Sequence, residues 1–257
     1  MDSEVTNWLN LIFRWIHVVA GIAWIGHLYF FNFVNAHFAK TLSAENKKAV
    51  VPELMPRALY WFRWGAAWTW ITGIMLLGLV YYMGGVLFEN PPGNMALGGL
   101  MLLLVLVFAF LYDVVMRMMK GNQMVANVIA VLLLAVLYFI MDYVADFSGR
   151  ALYTFLGGAL GTAMAMNVWM RIWPAQRKII TAVKAGTAPD ADLVAMAGLR
   201  SRHNTFMSVP LVFFMISNHY PTIYGSSYRA VYAAAVIVLG FLVVTLLYQK
   251  SAKVAAF

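Results

Sequence analysis

Cysteine is absent from the 257 residues. That excludes disulfides, iron–sulfur ligation, thiolate zinc sites and covalent haem attachment through CxxCH within this chain. Charge is scarce, at 11% of residues. No stretch alternates apolar and polar residues as a half-buried strand would. No internal repeat or low-complexity tract marks a second domain. The 17 Met are scattered as gap-fillers and form no paired MxxM copper motif. The opening MDSEVTNWLN has no basic region, so no cleavable signal peptide is expected. What remains is apolar: 63% of the chain is hydrophobic, more than a soluble core requires. An integral membrane protein is the class that fits.

Seven apolar runs are long enough to cross about 30 Å of hydrocarbon as helices. They are Trp8–Phe33, Ala58–Met83, Ala96–Val115, Met124–Val144, Ala151–Trp173, Asn204–Ile223 and Ala230–Tyr248. Backbone groups in lipid must be satisfied internally, so the fold class is all-α, a polytopic transmembrane helical bundle. The net charge of +8 is no nucleic-acid signal, because the basic residues sit in alternate short loops. Lys40, Lys47, Lys48 and Arg57 lie between runs one and two, Arg117 and Lys120 between three and four. Arg171, Arg177, Lys178, Lys184, Arg200 and Arg202 surround the loop between five and six, and Lys250 and Lys253 follow run seven. The other loops are poor in positive charge, with Arg150 and Arg229 their basic residues. The positive-inside rule then places the N-terminus outside and the C-terminus in the cytoplasm.

The expected organisation is a single integral membrane domain over residues 1–257, with a cytoplasmic helical loop at about 174–202. That loop is expected to hold two short surface helices, with Asp190 capping the second after the AGTAPDAD turn. Gly157 and Gly161 form a GxxxG in run five, which suits close helix packing or a groove for a flat macrocycle. Asp113 and Arg117 are spaced as an ordinary i,i+4 ion pair. Asp142 and Asp146 face the outside together. Trp61, Trp64 and Trp68 fall on one helix face, as packing and interface residues do.

Ionisable side chains are costly inside a bilayer, and those retained there usually serve a function. Four histidines stand out on this ground: His17 and His27 in run one, His203 just before run six and His219 near its end. On a helix His17 and His27 are about 15 Å apart in depth, with faces about 80° apart. They cannot ligate one metal but can serve two sites. The sixth run returns outward, so His27 and His203 can meet at one depth. His17 and His219 share the outer half with a mismatch of about 7 Å. Paired imidazoles from different helices, without cysteine or a carboxylate cluster, suit axial ligation of one or two b-type haems. Propionate or anion contacts are then expected from Arg14, three residues before His17, and from Arg63 and Arg202 on the inner side. The alternative is that some of these histidines merely hydrogen-bond a neighbouring helix. His37 reads as a surface residue or an inner-site ligand.

Three features together resemble a known family. They are RWIHVVAGIAWIGHLYFFNFVNAHF (Arg14–Phe38), WPAQRKIITAVKAGTAPDADLVAMAGLRSRHNTFMSVPLVFFMISNHYP (Trp173–Pro221) and the helix layout between them. The chain resembles the N-terminal membrane domain of bacterial cytochrome c-linked urate hydroxylases, the urate oxidase N-terminal family. In that family a membrane domain of about eight helices precedes a soluble cytochrome c domain. The resemblance implies a multi-pass protein of the bacterial inner membrane. It also implies oxidation of urate, a small purine, to 5-hydroxyisourate, with electrons passed to cytochrome c and not to dioxygen. With no CxxCH present, either the cytochrome c or other electron-transfer subunit is a separate protein, or this chain keeps only the membrane module for another task.

Three functions follow as expectations. The first is a haem-b-binding membrane oxidoreductase module of the urate hydroxylase type. The second is a non-catalytic haem-bearing or structural membrane subunit of a larger respiratory or photosynthetic electron-transfer complex. The third is a transporter, for which an inverted repeat and paired broken helices are missing.

Overall fold

The computed structural model describes residues 3–254. Seven long helices carry nearly all of them, and among the described residues no strand forms beyond an isolated bridge between Phe88 and Phe147. The helices are α1 (Ser3–Thr41), α2 (Ala44–Tyr82), α3 (Met95–Met118), α4 (Gln123–Val144), α5 (Gly149–Ala185), α6 (Ala191–Ile216) and α7 (Arg229–Ser251). All but α6 are long and apolar enough to cross a membrane. In α6 the polar first half, with Arg200, Arg202 and His203, lowers the average, yet its 26 residues span about 39 Å. The all-α bundle expected from the apolar runs is the fold observed.

Every helix is longer than its apolar run. α2 starts at Ala44 and continues through Pro52 and Pro56, so the polar segment before Ala58 is helical too. The two short surface helices expected between runs five and six are the ends of α5 and α6. α5 passes Pro174 without stopping and ends at Ala185, where Gly186 takes the left-handed conformation (φ 76°) that a helix C-cap needs. α6 then begins behind Asp190, whose carboxylate accepts from the backbone N–H groups of Asp192 (2.8 Å) and Leu193 (3.3 Å), as the cap reading expected. Wider π-helical turns interrupt α1 at Phe30–Asn35 and α5 at Asn167–Ile172, and they end α2 at Leu77–Tyr82 and α4 at Ile140–Val144. Within α1 and α5 the wider turn re-aims the side chains beyond it.

Burial separates the helices. Of the most apolar window, 83% is buried in α5 against 11% in α1. α1 leaves Trp8, Leu11, Trp15, Val18 and Ile22 exposed, which is tolerable only where lipid or a partner covers them. The chain divides into two compact units. The first is Met1–Trp15, Ile71–Ala163 and Pro210–Val238; the second is Ile16–Trp70, Met164–Val209 and Leu239–Phe257.

In the first unit α5 packs on α6 through its glycines. A Cβ at Gly157 would lie 2.7 Å from Met215 Cε and 3.2 Å from Phe214 Cβ, and one at Gly161 would lie 3.3 Å from Leu211 Cδ1. The GxxxG therefore serves close helix packing and leaves no groove for a macrocycle. The Ser148 N–H donates to the Leu87 carbonyl (2.9 Å), which ties the α2–α3 and α4–α5 connections together. In the second unit α1 and α2 meet at Gly65, where a Cβ would come within 3.0 Å of the Trp24 backbone nitrogen.

Candidate functional site

The inner histidines belong to the second unit, where α1 lies against α6 and α7. Tyr29 Oη is 3.0 Å from Ser208 Oγ. Asn32 Nδ2 donates to Ser201 Oγ (2.8 Å), and Tyr248 Oη donates to Asn32 Oδ1 (2.8 Å). These bonds join short side chains directly, so the α1–α6 seam is closed. They also fix which faces meet. Ser201 and Ser208, seven residues apart, share the α6 face that looks at α1. His203 lies about 200° round the helix from Ser201, on the far side. Likewise His27 lies about 200° from Tyr29, on the side that carries Phe31. The Phe31 ring meets Phe62 of α2 edge-on at 5.3 Å.

His27 and His203 thus point away from their shared seam. A haem gripped between them needs two imidazoles facing each other across a cleft, and the residues present do not fit a haem held there. The local chemistry of His27 is still informative. Its Nδ1 donates to the Ala23 carbonyl (2.7 Å), which fixes the ring orientation. His203 is half-buried. His37 contacts Ser251 Oγ through Nε2 at 3.3 Å. His17, also in the second unit, is half-buried, and His219, in the first, is exposed at the end of the short turn Ser217–His219. Among the described residues no three His, Asp or Glu side chains cluster as a protein-only metal site would need.

The polar interior of the second unit lies beside these histidines in sequence. Arg200, 2% exposed, reaches Asn167 Oδ1 at 3.4 Å, where the π-helical turn of α5 begins. Asn167 donates to Asn204 Oδ1 (2.8 Å), and Asn204 donates to the Met164 carbonyl (3.0 Å). The RSRHNT segment therefore contributes buried amides that lock α6 to α5. Arg202, expected as a propionate contact, is exposed and lies over the Tyr248 ring at 4.8 Å. Arg63, the other inner candidate, sits 3.9 Å over the Trp173 ring.

The first unit holds a second polar cluster, built from the end of α2, the start of α5 and the turn after α6. Tyr81 Oη, 5% exposed, donates to Asn218 Oδ1 (2.6 Å) and is 2.6 Å from Thr154 Oγ1. Arg150 Nε donates to the same Asn218 oxygen (3.0 Å), and its guanidinium lies 5.7 Å from the Tyr81 ring centre. Asn218 Nδ2 donates to Thr154 Oγ1 (2.9 Å). Arg150 has no carboxylate partner among the described residues. Arg14 is exposed and donates from Nε to Asn10 Oδ1 (2.6 Å). The cluster is thus a cationic cradle with donors and acceptors fixed around it.

Sequence reading named Arg14 as a propionate or anion contact and missed Arg150, Tyr81, Thr154 and Asn218. Arg150 reads as a loop charge and Tyr81 as an interfacial anchor. The available signal was Asn218, a polar side chain directly before His219 at the end of an apolar run. Asp142 and Asp146 do not stay free. Asp142 takes Arg229 (2.7 Å), and Asp146 accepts from Asn90 (3.0 Å). Asp113 pairs with Arg117 at 3.1 Å, as its spacing implied.

The family model described as urate oxidase N-terminal matches residues 3–49 and 42–256. The match takes in nearly the whole chain, which belongs to that family. No curated protein and no solved structure matches the chain.

Proposed function

We propose that this member of the urate oxidase N-terminal family is the membrane module of a urate hydroxylase-type oxidoreductase, and that Arg150 receives its anionic substrate. The observation that carries this reading is a half-buried guanidinium held by Asn218 and Tyr81 with no carboxylate to neutralise it. A buried cation without a counter-ion is costly unless an anion completes it. Urate is a planar monoanion with carbonyl and N–H edges. A guanidinium, an amide and a phenol match those edges, and Arg suits planar acceptors.

The reaction in this reading is urate plus water giving 5-hydroxyisourate, two protons and two electrons. The electrons leave to two molecules of oxidised cytochrome c. Arg150 and Asn218 would hold the ring, and Tyr81 would fix the Asn218 oxygen. Haem b is part of the proposal as the electron carrier, with His17 and His219 each proposed as a ligand. No step is routed through His27 and His203.

The test is urate-dependent reduction of cytochrome c by purified protein, with a reduced-minus-oxidised spectrum of the same sample. Turnover that needs Arg150 and a b-type α-band lost in His17→Ala or His219→Ala is the expected result. Pure protein with neither property would end the proposal. A structural subunit of a larger electron-transfer complex is the second reading, and the closed α1–α6 seam favours it. Native-gel co-migration with a large complex, without turnover, would establish that reading instead.

A further inference from the structure

Arg63 is a half-buried cation of the second unit without a counter-ion among the described residues. It lies five residues inside the apolar run that begins at Ala58, about 7 Å along the helix. Its Nε is buried and has no hydrogen-bond partner. Among the described residues the side chain makes no ion pair or hydrogen bond at all, although a guanidinium carries five N–H donors. Its only contacts of an electrostatic kind are rings: Trp173 at 3.9 Å, Tyr60 at 5.7 Å and Trp169 at 5.9 Å. Rings attract the cation through its face but satisfy none of the in-plane donors. The nearest acid along α2, Glu53, is occupied by Arg57 at 2.7 Å.

A second cation shares the same indole. The Arg177 guanidinium is 5.9 Å from the Trp173 ring centre, and it too has no carboxylate partner among the described residues. Two like charges on one ring repel each other unless an anion joins them. The backbone carbonyl of Arg63 accepts from Trp169 Nε1 (3.1 Å), and Trp64 packs edge-on against Trp169 (5.5 Å). The arginine is therefore held in place by α5. Tryptophans at this density, beside loops rich in Lys and Arg, mark the cytoplasmic headgroup level. An arginine at that depth reaches outward to phosphate.

We propose that Arg63, Arg177 and Trp173 bind the phosphate of an anionic phospholipid at the cytoplasmic face of the membrane. Phosphate oxygens accept two parallel N–H bonds from a guanidinium edge. Trp173 and Tyr60 would flank the glycerol and the first carbons of the acyl chains. The site is independent of the Arg150 cluster and of any redox activity.

Native mass spectrometry of the full-length protein in mild detergent, titrated with phosphatidylglycerol and phosphatidylcholine, tests this. Phosphatidylglycerol should bind the wild type at least about fivefold more tightly, the effect of one basic residue at a charged lipid surface. Arg63→Gln should remove that preference, Arg177→Gln should reduce it, and Arg63→Lys should retain part of it. Lys120→Gln, an exposed charge elsewhere, should leave it unchanged. Equal preference in wild type and Arg63→Gln overturns the proposal, as does an equal loss in Lys120→Gln. If inorganic phosphate alone displaces phosphatidylglycerol, the site takes free anions and not lipid. If Arg63→Gln loses haem absorbance while its lipid preference persists, the residue serves a propionate. Should Arg63→Gln not fold, Arg177→Gln decides: an unchanged preference there also overturns the assignment.

Discussion

Arg229 and Arg150 are two half-buried arginines of the first unit with opposite surroundings. Arg229 has Asp142 at 2.7 Å and Glu89 at 3.7 Å, and its backbone carbonyl accepts from Tyr153 (2.7 Å). Its charge is used up inside the protein. Arg150 has an amide oxygen and a phenol ring, and its charge is not. The difference separates an arginine that ties α4, α7 and the α2–α3 connection together from one that we propose receives an anion. Arg63 in the second unit goes one step further, with aromatic rings and no hydrogen bond or ion pair among the described residues.

Replacing Arg229 by Met is the most severe test of this contrast. It strands the nearly buried Asp142 carboxylate, and a buried charge left alone costs about 3–5 kcal/mol. Thermal unfolding in detergent should show a large loss of stability; an unchanged midpoint would mean that Arg229 is not compensated as described. Arg150→Gln should do the reverse. Its stability should hold, while urate-dependent cytochrome c reduction falls about 100-fold, the loss expected for a charge-assisted contact to substrate. If Arg150→Gln unfolds the protein as Arg229→Met does, both arginines are structural and the contrast fails.

Two smaller effects sharpen it. Asn167→Leu takes an acceptor from buried Arg200 and a donor from Asn204, so about 1–3 kcal/mol should be lost without a direct effect on anion binding. Unfolding midpoints and binding measured on the same variant would check this. Arg57→Gln should change nothing measurable. Its partner Glu53 lies with it at the surface, and exposed ion pairs contribute little. A clear drop in its unfolding midpoint would show that the Pro52–Trp61 stretch of α2 matters more than its exposure implies.

Much of the helix plan was legible because lipid permits few alternatives. Apolar length gave the spans, Asp190 gave a helix start, and Arg117 gave the partner of Asp113. The ends were less legible. The segment before Ala58 and the one after Trp173 are polar, and hydropathy cannot distinguish a helix that leaves the membrane from a loop. The histidine pairing was the largest gap. Depth can be counted along a sequence at a fixed rise per residue, but the rotation of one helix against another cannot. Ser201 and Ser208 took the seam that His203 was expected to occupy, and Tyr29 took the place of His27. The pairing state of each arginine was hidden for the same reason. Arg150, Arg229 and Arg63 look alike in sequence, and only their neighbours distinguish them.

By itself the sequence determined that this chain is a multi-pass helical membrane protein, because 63% apolar content and spans of membrane length leave the backbone no other way to satisfy its hydrogen bonds. The tertiary structure decided which face of each helix is covered and therefore which charges are neutralised. That follows from side-chain packing between helices distant in sequence, where a 100° turn per residue moves a group from a closed seam to an open one.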